Sequence, residues 1–356
     1  MSNRVVVFED ALRNFEHLSR EASPKLLPLD CNLVRFEPKA LPIPSSSQTK
    51  DFGASLTEFL LSSPSTLLVV LDEDLVEYEG VVSRSAVHGA CNEARIPVAL
   101  YHFITGRDEH ARRIRRWGES VIMIDNSEHW SEIGTQCASI AKGVLTIRQA
   151  LEQNRGGSLA EIIPRMMGAP TDAEIQLNQY RFFVDQSVDA SGGAANDSLR
   201  VVSTAILYWI QNQVLQFPGV LLNAVAAASH LDIDHEQFSS RPEIQGPFKE
   251  ALYVGPLVEM GPFWWTTKLD DILAARTPLD SKSVITGHDL LEQMNISASR
   301  SRCMEGHDGS GYYCIIERRP VCIDHSVEPQ GWLPAGATMS RIYRKTYDGL
   351  APWKVF

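Results

Sequence analysis

No apolar run in this sequence approaches the roughly 18 residues that a membrane-spanning helix needs, so no such anchor is expected. Met1-Ser2-Asn3-Arg4 leads directly into Val5-Val6-Val7-Phe8, without the hydrophobic region or small-residue cleavage site of a secretory signal. Common phosphate-binding and catalytic signatures are missing too. There is no G-x-x-x-x-G-K-[ST] and no G-x-G-x-x-G after a strand, which excludes an ordinary P-loop and a dinucleotide fingerprint. G-x-S-x-G and H-E-x-x-H are absent as well. Positive charge is in deficit: 33 Lys and Arg stand against 44 Asp and Glu, a formal net charge of −11. That balance argues against general affinity for nucleic-acid backbone or anionic lipid. One decade runs the other way, with Arg107, Arg112, Arg113, Arg115 and Arg116; it reads as a solvated helix face or as a local basic patch. Six cysteines, widely spread and without a C-x-x-C pair, point to a reduced, cytoplasmic protein.

What is present is an ordinary globular composition, 44% hydrophobic and 22% charged, in a chain of 356 residues, long enough for two domains. The central stretch is Leu67-Leu68-Val69-Val70-Leu71-Asp72-Glu73-Asp74. An unbroken apolar run that stops at acids reads as a buried parallel strand. Ligands of open α/β sheets sit at the carboxyl ends of such strands. Further strands are expected at 5–8, 31–36, 98–101 and 121–124, alternating with helices. A long amphipathic helix follows, with Trp130, Ile133, Cys137, Ile140 and Val144 recurring every three or four positions. This alternation predicts an α/β domain over residues 1–153, a five-stranded doubly wound parallel sheet.

Asn154-Arg155-Gly156-Gly157-Ser158 marks a boundary. Residues 159–356 read as a mostly helical domain, with helices expected over 159–167, 173–184, 199–217 and 220–231, and shorter ones over 248–253 and 268–275. Ser198 is the expected N-cap of the third. Near the C-terminus, 312–317 and 321–324 flank Arg318-Arg319-Pro320 as a β-hairpin.

Glu9-Asp10 follows the first strand, Asp72 ends the third, and Thr105 lies just past the fourth. On these residues the chain resembles, over about 4–152, the receiver domain of two-component response regulators. The resemblance implies a flavodoxin-like fold and an acidic pocket of Glu9, Asp10 and Asp72, with Asp74 and Asp125 close by. In that family the pocket holds magnesium, the strand-three aspartate takes a phosphoryl group, and the hydroxyl responds. Receivers also carry a lysine just after strand five; here Asp125-Asn126 occupies that place and the nearest lysine is Lys142. A phosphoryl charge on Asp72 would lack its cation, so a degenerate pseudo-receiver is expected. Taken without the resemblance, the same acids are solvated carboxylates or helix caps. The resemblance implies a regulatory protein of a bacterial signalling or conflict system, in which the first domain senses or docks and the helical domain binds a protein partner.

A second resemblance leads to an enzyme. Leu71-Asp72, Gly80, a helix carrying Glu93, and Ile96-Pro97-Val98 are similar to nucleoside deoxyribosyltransferase-like and TIR-like domains. Those families set a glutamate against the ribose linkage of a nucleoside or NAD, which would make Glu93 the catalytic residue here. Their glutamate stands at the start of the helix, where this chain has residues 85–88.

Cys303, His307, Cys314, Cys322 and His325 crowd the C-terminal region. Soft and borderline donors at that density suggest structural zinc; ordinary burial of small apolar thiols is the other reading. Phe263-Trp264-Trp265, with Trp332 and Trp353, forms either an exposed stacking platform or a core, and the core is favoured. His230, Asp232, Asp234 and His235 read as a solvated helix terminus or a metal site.

Overall fold

The computed structural model describes residues 2–37, 41, 49–63, 65–73, 75, 82–101, 120–124, 129–179, 195–328, 331 and 333–350. Asp74, Gly80, Thr105, Asp125, the arginine-rich decade, Trp332 and Trp353 lie outside them. The chain divides into two compact units.

The first unit is built on β1 (Asn3–Phe8), β2 (Cys31–Arg35), β3 (Thr66–Asp72), β4 (Val98–Tyr101) and β5 (Ile122–Met123). They form one sheet in the order β2-β1-β3-β4-β5, and every pairing is parallel. β3 is buried along its whole length, as its uninterrupted apolar run requires. Helices α1 (Leu12–Leu26), α2 (Thr49–Leu61), α3 (Arg84–Ala94) and α4 (Trp130–Gln153) cover the sheet, α1 packing on α4 and α2 on α3. Strand alternation sorts the side chains between the two faces. Phe8, Val69 and Leu71 join Leu56, Leu60 and Val87 in one core.

α1 and α4 approach closely at Gly134. A Cβ there would lie 3.0 Å from the Ala22 backbone nitrogen and 3.1 Å from the Glu21 carbonyl carbon. Gly134→Val is therefore expected to cost about 1–3 kcal/mol by overpacking, measured by urea denaturation. A neutral result would mean that the two helices separate without penalty.

Helices α5 (Leu159–Met167), α6 (Thr171–Gln179) and α7 (Ala195–Trp209) follow. Up to Tyr208, α7 belongs to the first unit, although it lies beyond the expected boundary at 154–158. Its side chains satisfy the main chain where α3 turns into β4. Tyr208 Oη accepts from Val98 N–H at 2.9 Å, Thr204 Oγ1 donates to Arg95 O at 2.9 Å, and Arg200 Nη1 to Ala94 O at 3.3 Å. Helix ends leave such carbonyls without partners. α7 also starts ahead of Ser198 and gives way to a π-helical turn, Ile210–Leu215.

In the second unit, β6 (Leu221–Asn223) pairs antiparallel with β7 (Phe263–Trp265). The expected helix over 220–231 thus begins as a strand. Only α8 (Ala224–His230), capped by the Asn223 side chain, is helical. A short apolar run suits either state, and the facing Trp264 decides it. Trp264 and Trp265 are fully buried, with Trp264 against Phe238 and Trp265 against Tyr253, so this pair is core. The short helix expected over 248–253 is a 3-10 helix, Gly246–Ala251. α9 (His235–Ser240), α10 (Thr266–Arg276) and α11 (Gly287–Gln293) are the longer of the remaining helices before the C-terminal sheet; Pro242–Gln245 adds a single α-helical turn.

That sheet contains β8 (Tyr312–Cys314), β9 (Arg319–Val321), β10 (Ser326–Val327) and β11 (Ser340–Tyr343), in the order β10-β11-β8-β9. β8 and β9 form the expected hairpin, but its turn ends at Arg318, in the left-handed region at φ 54°, and Arg319-Pro320 belongs to β9. Among the described residues no helix is long and apolar enough to cross a membrane.

Candidate functional site

β1 and β3 are parallel neighbours with Phe8 opposite Leu71. The residues that follow, Glu9 and Asp10 on one side and Asp72 on the other, therefore reach the same carboxyl edge. One carboxylate oxygen from each lies within 4.8 Å of the others. Glu9 is fully buried and Asp72 is 9% exposed. Glu9 Oε1 accepts from Ala11 N–H at 2.9 Å and Asn14 Nδ2 at 3.4 Å, while Asp10 Oδ1 accepts from Ala11 N–H at 2.7 Å. The Tyr101 hydroxyl donates to Glu9 Oε2. Arg35 holds the main chain, donating from Nε to Glu9 O at 3.0 Å and from Nη2 to Asp10 O at 2.6 Å.

Burial pushes the Glu9 carboxyl up to about 7; the Tyr101 hydrogen bond opposes this and the charge of Asp72 adds to it. Burial and the two adjacent carboxylates also raise the Tyr101 phenol. Three carboxylates at this spacing suit a hard divalent cation. The buried Glu9 can equally stand protonated beside Asp72, which lowers the charge of the cluster by one.

Sequence reasoning did not single out Tyr101 or Arg35. Tyr101 is the last residue of β4 and stands opposite Asp72 in the sheet register. A hydroxyl closing an apolar strand was the available signal; the sequence instead directs attention to Thr105. Glu73, next to Asp72, pairs with Arg84 at 3.3 Å. Glu93 is not brought to this edge. It lies near the end of α3, where the chain enters the amino end of β4, and its Oε2 accepts from Thr57 Oγ1 of α2 at 2.9 Å.

In the second unit, Cys303, Cys322 and His325 each place one ligand atom within 4.8 Å of the others. His325 Nδ1 is 3.1 Å from Cys322 Sγ and 3.8 Å from Cys303 Sγ, and the His307 ring stands edge-on to His325, centroids 4.6 Å apart. Cys314 is used differently: its buried sulfur accepts the N–H groups of Glu317 at 3.4 Å and Tyr343 at 3.2 Å. His230, Asp232 and Asp234 take separate partners, namely Asp270, Arg300 and the Gln237 N–H at the start of α9.

A scan of protein-family models and a search of curated proteins each returned no match for this chain.

Proposed function

We propose that this chain is a regulatory protein of a bacterial signalling or conflict system, in which a degenerate receiver-like unit senses or docks and the second unit binds a protein partner. The observation that carries the reading is the meeting of Glu9, Asp10 and Asp72 at the carboxyl edge of a β2-β1-β3-β4-β5 parallel sheet. Two features favour a module that has given up phosphoryl transfer. Asp125-Asn126 replaces the lysine that would grip a phosphoryl group, and Lys142 lies well inside α4. Arg35 is committed to the main-chain carbonyls of Glu9 and Asp10 and to the Glu37 carboxylate. A phosphoryl group on Asp72 would add close to two negative charges beside Glu9 and Asp10.

The test is the thermal midpoint of the full chain in magnesium alone and in magnesium with beryllofluoride. The expected result is no further shift from beryllofluoride. A saturable rise that disappears in Asp72→Asn would identify a working phosphoacceptor and overturn the degenerate reading. Turnover of NAD or nucleosides, abolished by Glu93→Gln, would replace the regulatory reading with an enzymatic one.

A further inference from the structure

We infer that the second unit binds one zinc ion through Cys303, Cys322 and His325, with His307 as the fourth ligand and Cys314 excluded. The inference stands apart from the receiver-like reading of the first unit.

The donor atoms are already gathered. In a tetrahedral site with Zn–S about 2.3 Å and Zn–N about 2.0 Å, sulfur and nitrogen ligands stand about 3.5 Å apart. The two observed separations from His325 Nδ1, 3.1 Å to Cys322 and 3.8 Å to Cys303, bracket that value. His307 is exposed and edge-on to His325, so it can complete the set by rotating its side chain.

Both ligand pairs sit on tight turns. Cys303 N–H donates to His307 O at 2.8 Å and Gly306 N–H to Cys303 O at 2.8 Å, with Gly306 in the left-handed region at φ 83°. In the second turn, Ser326 Oγ donates to Cys322 O at 2.7 Å and Ser326 N–H to Ile323 O at 3.4 Å. Such backbone bonds fix the turn and so orient the ligands it carries. The first turn is pinned from outside as well: Glu305, between its two ligands, takes the Tyr343 hydroxyl and pairs with Lys345 at 2.6 Å.

The surrounding fold has a use for a cross-link. The strands of this sheet are two to four residues long. The stretch from Cys303 to Gly311 contains no strand or helix, and Gly306, Gly309 and Gly311 all have positive φ. Met304 N–H already donates to Pro320 O at 3.2 Å, and an ion joining the stretch to the Cys322 turn would add a side-chain cross-link beside that main-chain bond, so that binding stabilises the fold. Two thiols and imidazole are soft donors, which select zinc over magnesium or calcium.

The full chain, purified reduced and without chelator, is expected to carry about one zinc per molecule by elemental analysis. Cobalt(II) added to the metal-free chain should give the intense visible bands of a tetrahedral site and near-ultraviolet thiolate charge transfer. Cys303→Ser, Cys322→Ser and His325→Gln should abolish both signals. His307→Gln should weaken binding at least tenfold, and Cys314→Ala should keep full stoichiometry. Absence of zinc together with a featureless cobalt titration of the wild-type chain would overturn the inference, and that reading does not depend on any variant folding. So would zinc retained by the double variant Cys303→Ser/Cys322→Ser, or a Cys303–Cys322 disulfide as the ground state of the native protein. Unchanged affinity in His307→Gln would remove His307 from the site.

Discussion

Glu9→Gln is expected to stabilise the protein above pH 7 and to have little effect near pH 5. The folded carboxyl titrates at about 7, against an ordinary value of 4.5, because it is buried. Between those two pH values the folded chain keeps a proton that the unfolded chain releases. Stability is therefore fully present below about 4.5 and falls as pH rises through about 7. The gap corresponds to a loss of about 3 kcal/mol as an upper figure. Glutamine removes the titration. Its carbonyl can still accept the Ala11 and Asn14 donors, and its amide meets the Tyr101 oxygen, which can accept as well as donate. Urea denaturation of both proteins from pH 5 to 8 should show the wild-type curve falling away from that of the variant. Parallel curves would mean that Glu9 is ionised throughout.

Trp265→Ala is expected to cost about 3–5 kcal/mol, a large share of the 5–15 kcal/mol that usually holds a domain together. The side chain has no exposed surface, its ring centre is 5.7 Å from that of Tyr253, and its main chain pairs with Leu221. The cavity cannot collapse easily, because β6 and β7 are only three residues each and Trp264, next in line, is also fully buried. Hydrogen exchange should show the loss directly as reduced protection of the β6 and β7 amides. A cost below about 1 kcal/mol would show that this aromatic cluster is not the core of the second unit.

The first unit was legible because its determinants are local. Val5–Phe8 and Leu67–Leu71 are apolar runs closed by acids, and segments of helical periodicity separate most of the strands. The meeting of Glu9, Asp10 and Asp72 followed from the same reasoning, since parallel strands that start on one side must end on the other. What was hidden depends on partners remote in sequence. Tyr208 caps the amide of Val98 from 110 residues away. Leu221-Leu222 is a strand only because Trp264 and Trp265 face it. Cys314 looks like the neighbouring cysteines on paper, and only the arrival of β11 beside β8 separates it, by turning its sulfur into an acceptor for Tyr343 N–H.

α7 bears on how such a protein could have been assembled. The polypeptide leaves the first unit after Gly156, comes back to it in α7, and departs again at Trp209. A recombination event at the glycine pair 156–157 would thus deliver an incomplete cassette, with the Val98 amide and the carbonyls of Ala94 and Arg95 stripped of their side-chain partners. Shuffling of the two halves as interchangeable modules is disfavoured by that return journey, and the pair is expected to have been inherited together.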